Sequence, residues 1–379
     1  MIKQFDKVNT TNYCLKVFDG THDSPKYTDV GYPLVTSKCL INNKVVVEEA
    51  SKVSKNDYVL INKRSKVEKN DILISMIGIN AGIVGYVSDS PDYAIKNVGV
   101  FRCRNELDSK YLFYYLQTTD GKNNIRSCMT GSAQPYISLD KLRNFEFIAP
   151  TDASYKQHIV NTIGSVDDLI ENKRKQINLI IEMLTKALNS FPNSIEFEYY
   201  KPSVIKSGIN KFNHNKTYID TSCIEGFNNI LNGEIVSYNN KPSRANMQPI
   251  SDSVWFAKMK GSYKVLALTK DDKDILDDCI LSTGYQGLEK SDLLPLSLLT
   301  AIITSNNFRI QRDLNSVGTT MSGINNETFM KIKVPKLSKS EIEKFDIKHS
   351  NLIKKLSLYR REINKLLIIK NNLLNKYFQ

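Results

Sequence analysis

Lys173-Arg174-Lys175-Gln176-Ile177-Asn178 is answered by Tyr359-Arg360-Arg361-Glu362-Ile363-Asn364, 186 positions further along the chain. Each copy sits inside a heptad run. In the first run Ile163, Ile170, Ile177, Leu184 and Phe191 recur every seven residues. Val166, Ile180 and Ala187 mark the companion seam, with Lys173 as its one polar layer. In the second run Leu352, Tyr359, Leu366 and Leu373 form one seam, and Leu356 and Ile363 the other, broken by His349 and Lys370. Apolar residues sustained at this spacing specify coiled-coil helices. Pro150 precedes the first run, Pro192 closes it and Pro335 precedes the second, so these prolines read as boundaries. Each stripe needs burying, and the obvious partner is the other helix. A helix of about 36 residues spans on the order of 54 Å, longer than the roughly 34 Å of one turn of B-DNA. Ordinary dimerisation helices would show the same periodicity.

The repeat extends outward from the helices. Gly131-Ser132-Ala133 with Ile137 matches Gly318-Thr319-Thr320 with Ile324, and Gly99 is paired with Gly284. A long internal repeat decides the architecture before any local feature does. The expected fold is α/β (mixed α+β): two globular domains separated by two long antiparallel coiled-coil helices, with a pseudo-two-fold internal repeat. The expected boundaries are 1–152 and 193–337 for the domains, and 153–192 and 338–379 for the helices. Within the domains, Asp71–Gly78 and Ile83–Val87 read as neighbouring strands, as do Ser253–Ala257 and Lys264–Leu268 about Gly261. Lys110–Leu116 and Ser297–Ile303 read as helices.

A chain of 379 residues, 41% of them hydrophobic, suits two to three packed units. The formal net charge of +12 makes an anionic partner plausible. Its distribution is uneven: +3 over residues 1–154, +1 over 155–191, +2 over 192–338 and +6 over 339–379. Any grip on nucleic acid from the globular parts must therefore come from local patches. The six cysteines form no Cys-x-x-Cys pair and the four histidines are scattered, which argues against a metal site or a disulfide framework. Free thiols fit a reducing cytoplasm. The N-terminus carries no signal-like apolar run, and no stretch is long enough to span a membrane. A P-loop, a Gly-x-Ser-x-Gly elbow and the Asn/Asp-Pro-Pro-aromatic run of adenine methyltransferases are all missing. Glu196, Glu198 and Lys201 could be forced into a metal-nuclease pattern, but read more simply as a charged linker after Pro192. No catalytic residue is assigned.

In order along the chain, several motifs carry a resemblance. They are Asp19-Gly20-Thr21-His22 followed by Gly31-Tyr32-Pro33-Leu34-Val35; Asn70-Asp71-Ile72-Leu73-Ile74-Ser75; Asn97-Val98-Gly99; and Gly131-Ser132-Ala133-Gln134-Pro135-Tyr136-Ile137-Ser138. The second half adds Tyr218-Ile219-Asp220-Thr221-Ser222, Pro242-Ser243-Arg244-Ala245, Leu281-Ser282-Thr283-Gly284 and Gly318-Thr319-Thr320-Met321-Ser322-Gly323-Ile324-Asn325. In this order the chain resembles the specificity subunit of type I restriction-modification systems over nearly its whole length. It departs from the family where a glutamate-glutamine pair is usual before the first helix and Lys156-Gln157 stands instead. The resemblance implies a non-catalytic subunit. Each domain would read one half of a split double-stranded DNA target. The helix pair would set the spacing and dock two modification subunits, with restriction subunits joining them. It implies no cofactor in this chain; S-adenosylmethionine, ATP and Mg would belong to the partner subunits, which methylate adenine or cleave.

Base reading needs side chains with fixed donor and acceptor forks. The candidates for DNA contact in the first half are Thr21, His22, Lys26, Tyr27, Lys63, Arg64, Asn80 and Gln134. In the second half they are Ser243, Arg244, Lys258, Lys260, Gln286 and Thr320. For each the plain alternative is a solvated loop side chain. The candidates for helix-pair packing are Ile163, Ile170, Ile177, Leu184, Leu352, Tyr359, Leu366 and Leu373. Two other functions stay open on the residues alone: a self-sufficient nuclease with two recognition heads, and a coiled-coil adaptor with no DNA role.

Overall fold

The computed structural model describes residues 5–131, 134–231, 233–318 and 322–378. The chain divides into two compact units, residues 1–168 with 368–379, and residues 169–367, so the division falls inside both long helices. Among the described residues no helix is long and apolar enough to cross a membrane.

The first unit is built on Ile72–Ser75, a continuous apolar run buried on both faces, as a central strand should be. Its six-stranded sheet runs in the order Cys14–Asp19, Val98–Cys103, Ile72–Ser75, Val84–Tyr86, Lys44–Val45, Leu40–Ile41. Neighbours are antiparallel except Lys44–Val45, which lies parallel to Val84–Tyr86. One face packs on helix Glu106–Tyr115, whose residues 111–115 are all buried, and on the start of the first long helix through Ile159, Val160 and Ile163. The end of the second long helix adds Leu374 and Tyr377 to the same core. Tyr32–Val35 and Ala94–Ile95 pair in parallel in a smaller sheet, against which helix Lys55–Ser65 packs through Ile61.

The second unit repeats this plan strand for strand. Its six-stranded sheet runs Ser203–Val204, Tyr285–Glu289, Ser253–Ala257, Lys264–Leu268, Ile224–Phe227, Asn229–Ile230. Again only the fourth and fifth strands are parallel. Trp255 is fully buried at its centre and donates its indole N–H to Ser253 Oγ at 2.8 Å. Lys216–Ile219 and Cys279–Ser282 form the parallel pair of the smaller sheet. The plans part in the smaller sheets, where strand Tyr27–Thr28, paired with Ser51–Val53, belongs to the first unit alone among the described residues. Where the first unit inserts helix Lys55–Ser65, the second adds strand Ala245–Met247, antiparallel to Cys279–Ser282. The register also corrects one sequence match. Met76 N donates to Asn97 O (3.2 Å) as Lys258 N donates to Gly284 O (2.9 Å), so Gly284 corresponds to Asn97 and not to Gly99.

The long helices run over Ala153–Leu188 and Lys339–Phe378, 36 and 40 residues. Within the first unit they lie antiparallel: His158 Nε2 is 3.0 Å from Tyr377 Oη and Lys370 Nζ is 2.7 Å from Asp167 Oδ1. Within the second unit Lys173 Nζ is 2.8 Å from Glu362 Oε2 and 4.5 Å from the centre of the Tyr359 ring. Ile163, Ile170, Ile177 and Leu184 are buried. On the second helix the expected seam of Leu352, Tyr359, Leu366 and Leu373 is only half-buried. The buried positions are His349, Leu356, Ile363, Lys370 and Tyr377, with Ile353, Arg360 and Leu374 one residue past the expected seam.

Arg360 explains the displacement. It is 1% exposed and forks onto Asp272 (0% exposed) and Asp274, with Nη2 2.7 Å from Asp272 Oδ1 and Nη1 2.9 Å from Asp274 Oδ2. Ser357 Oγ and Thr269 Oγ1 also donate to Asp272, at 2.8 and 2.9 Å. Helix and loop are thus joined by a charged pair whose lone pairs are filled, the condition for a buried pair to persist. Arg360→Ala leaves Asp272 buried without its cation. The expected cost is about 3–5 kcal/mol in urea unfolding; a change below about 1 kcal/mol contradicts the role given to the pair.

His349 is buried, its ring lies tilted against Phe345 (centroids 4.3 Å apart), and burial holds its imidazole below its ordinary 6.5. The unfolded chain takes up a proton where the folded chain resists it. Stability is therefore full above about pH 6.5 and falls as the pH drops towards the folded value. In His349→Leu this part of the acid dependence should vanish from thermal melts between pH 7 and 5; an unchanged profile would rule it out.

Candidate nucleic-acid interface

In the first unit the antiparallel register brings four strand ends together. Cys14–Asp19 and Ile72–Ser75 finish, and Val98–Cys103 and Val84–Tyr86 begin, at one end of the sheet. The connecting loops are laced by their backbones. Thr21 N donates to Ile95 O (3.1 Å) and Asn97 N to Thr21 O (3.1 Å). Ile137 N donates to Met76 O and Gly78 N to Pro135 O, both at 2.8 Å. The loop at Gly20 lies so close to the Ile95 carbonyl that no Cβ fits there, which is why a glycine is required.

Side chains finish the lacing. His22 contacts Asp19 Oδ2 through Nε2 (2.9 Å) and Asn97 Oδ1 through Nδ1 (2.8 Å). Asn97 holds a left-handed φ of 54°, which asparagine tolerates. Arg64, from the last turn of helix Lys55–Ser65, donates to Gly20 O (2.8 Å) and Asp19 Oδ1 (3.4 Å). His22 and Arg64 are therefore both tied to Asp19, and both keep exposed surface.

Five more candidates of this unit are exposed or half-buried. Asn80 lies in the turn between Ile72–Ser75 and Val84–Tyr86, and Gln134 in the loop laced to that turn. Lys63 is exposed beside Arg64. Lys26 and Tyr27 are exposed where the loop from Gly20 enters strand Tyr27–Thr28. Thr21 is the exception. It is buried and its hydroxyl bonds to Asp23 (3.2 Å), so it shapes the loop and offers no reading face.

The second unit has the same end. Ser253–Ala257 finishes where Lys264–Leu268 and Tyr285–Glu289 begin. Ile324 N donates to Lys258 O and Lys260 N to Ser322 O, both at 2.9 Å, reproducing the pair at Met76 and Gly78. Ser243 and Arg244 are exposed just before strand Ala245–Met247. Arg244 O accepts from Thr283 N (2.8 Å) and Asn246 N (2.9 Å), and its guanidinium reaches over Gly284.

Lys258 is half-buried, and burial, with Arg244 nearby, pulls its pKa below the ordinary lysine value. Among the described residues neither Lys258 nor Arg244 has a carboxylate partner. Two cations in this state favour an anion between them. Lys260 stands exposed two residues on. Gln286 is buried in strand Tyr285–Glu289, opposite Phe256, and cannot reach a ligand. Thr320 lies outside the described residues.

Two contributors escaped the sequence reading. Asn97 holds His22, and no motif marks that role. Arg312 is buried and braces the Lys258–Tyr263 turn by donating to Ser262 O (2.5 Å) and Ala257 O (3.3 Å), while Asp313, bound to it at 2.7 Å, accepts from Gly261 N. Its place six residues past the helix start at Asn306 resembles that of any surface arginine.

If Lys258 receives a backbone phosphate, Lys258→Gln should weaken DNA binding across all sequences and reduce the salt dependence of log K by about 0.9. Arg244→Gln should instead lower discrimination at a base pair of one half-site. A salt dependence identical to wild type in Lys258→Gln would remove the phosphate role.

Residues 20–182 match the family model described as the type I restriction modification DNA specificity domain. Two curated relatives come from Methanocaldococcus jannaschii. The type I restriction enzyme MjaVIII specificity subunit is 31% identical over 102 residues, 27% of this chain and 24% of that protein. The MjaIX specificity subunit is 31% identical over 121 residues, 31% of this chain and 27% of that protein. The aligned stretch thus spans about a quarter of each relative's length. The fold is shared with the crystal structure of a type I restriction-modification system S subunit from M. genitalium, at a TM-score of 0.51 and 16% identity over 100% of this chain and 97% of that one. The chain therefore carries, over residues 20–182, a type I restriction-modification DNA specificity domain.

Proposed function

We propose that the chain is the DNA-specificity subunit of a type I restriction-modification complex, in which each unit reads one half of a bipartite double-stranded target. The observation that carries this reading is the duplicated loop platform. The same backbone lacing recurs at Met76–Gly78 with Pro135–Ile137 and at Lys258–Lys260 with Ser322–Ile324, with different side chains on each. Identical scaffolds under different side chains suit two different half-sites.

In this reading the long helices set the distance between half-sites and dock two modification subunits, with restriction subunits joining them. The chain itself is non-catalytic and works in the cytoplasm. S-adenosylmethionine, ATP and Mg are held by the partners. Unlike base reading, methyl transfer asks nothing of this chain beyond presenting the correct adenine.

The test is to co-express the chain with its modification subunits and map methylated adenines genome-wide. The expected outcome is a split motif with one methylated adenine on each strand. Methylation without sequence preference, or a continuous motif, would refute the reading.

A further inference from the structure

The turn that joins Ile72–Ser75 to Val84–Tyr86 places an isoleucine at its tip. Ile79 is 99% exposed. A single exposed aliphatic side chain is ordinary on a protein surface, but this one is held in a fixed place. Gly78 and Gly82, with φ of 82° and 87°, turn the chain on either side of it. Gly82 N donates to Ser75 O and Gly78 N to Pro135 O, both at 2.8 Å, and Ile83 N donates to Asn80 O at 3.1 Å. The turn is stitched to itself and to the neighbouring loop, so the isoleucine neither folds back into the core nor swings freely.

The corresponding turn of the second unit differs in chemistry. By the matched hydrogen bonds, Ile79 falls where Gly261 stands, after Lys260 and three residues from Lys258. That platform offers cations without carboxylate partners among the described residues. The first offers an apolar tip, while His22 and Arg64 are tied to Asp19. Asn80, next to the tip, has no side-chain partner among the described residues. In the major groove only thymine presents an apolar group, its 5-methyl, and asparagine suits the N6/N7 edge of adenine.

We infer that Ile79 reads a thymine 5-methyl group in the half-site of the first unit. This rests on the DNA-specificity reading above. The residue sits outside every core, so its replacement leaves the fold intact.

The experiment uses the chain assembled with its modification subunits and a duplex carrying the mapped motif. Binding is measured with thymine and with deoxyuridine, which lacks only the methyl group, at each thymine of each half-site. One thymine of one half-site should lose about fourfold in affinity on demethylation, the worth of one buried methyl-sized group. The same loss should appear in Ile79→Ala on thymine DNA, with no further loss on deoxyuridine DNA. Equal losses for Ile79→Ala on both duplexes would overturn the proposal and indicate a wedge between bases. So would a half-site with no methyl-sensitive thymine. Failure of the underlying reading looks different: the wild-type complex would then show no sequence preference at all.

Discussion

The hydrogen bond from Ile137 N to Met76 O, with its counterpart from Ile324 N to Lys258 O, is the constraint on which both platforms depend. Each ties the loop that closes a unit to the turn leaving that unit's most buried strand. Without this bond the turn would be a free hairpin tip, and a tip that moves cannot hold a donor or a methyl contact in register with a base edge. Backbone lacing also leaves the side chains outside the scaffold. Ile79 and Asn80 on one turn, and Lys258 and Ser262 on the other, can differ without disturbing the backbone bonds beneath them. Positioning and selectivity are thereby separated, which lets one architecture serve two sequences.

The charges follow the same division. On the first platform Asp19 collects the His22 ring and the Arg64 guanidinium, so the arginine's charge is used in holding the Asp19–His22 loop. On the second, Asp313 collects Arg312 beneath the turn, and Arg244 and Lys258 stay available above it. In the second unit the Arg360 fork onto Asp272 and Asp274 then joins the long helix to the loop after Lys264–Leu268. Lys264–Leu268 is the strand that starts at the cationic turn, so the fork and the turn stand at opposite ends of one strand. A buried charged pair is an expensive way to gain stability, but its directionality fixes angle as well as distance.

Much of the fold was legible in the sequence because it rests on period and repetition. Ile72–Ser75, Ser253–Ala257 and Lys264–Leu268 announce themselves as apolar runs closed by turns, and the heptads mark both long helices. The second helix shows where such reading stops. An apolar pattern gives no credit to an arginine, so the buried Arg360 and Lys370 were read as polar breaks or passed over, and Leu352, Tyr359, Leu366 and Leu373 were promoted in their place. The platforms were legible as loops but not as geometry. Thr21 and Gln286 are polar residues in the right segments, yet the first is buried within its loop and the second in a strand covered on both faces. Asn97 and Arg312 act by holding other residues, a role that exists only once distant segments meet. Ile79 is hidden for the opposite reason, since an aliphatic side chain in a turn carries no donor or acceptor to mark it as a base reader.

The central claim is that the two turns act on separate halves of one target. The most direct measurement is the methylation motif of two variants of the assembled complex, one with residues 77–82 and one with residues 259–263 exchanged for the corresponding turn of the other unit. The account predicts that each exchange changes bases in one half of the motif, a different half for each, and leaves the spacing unchanged. A variant that alters both halves together, or two variants that alter the same half, would contradict it.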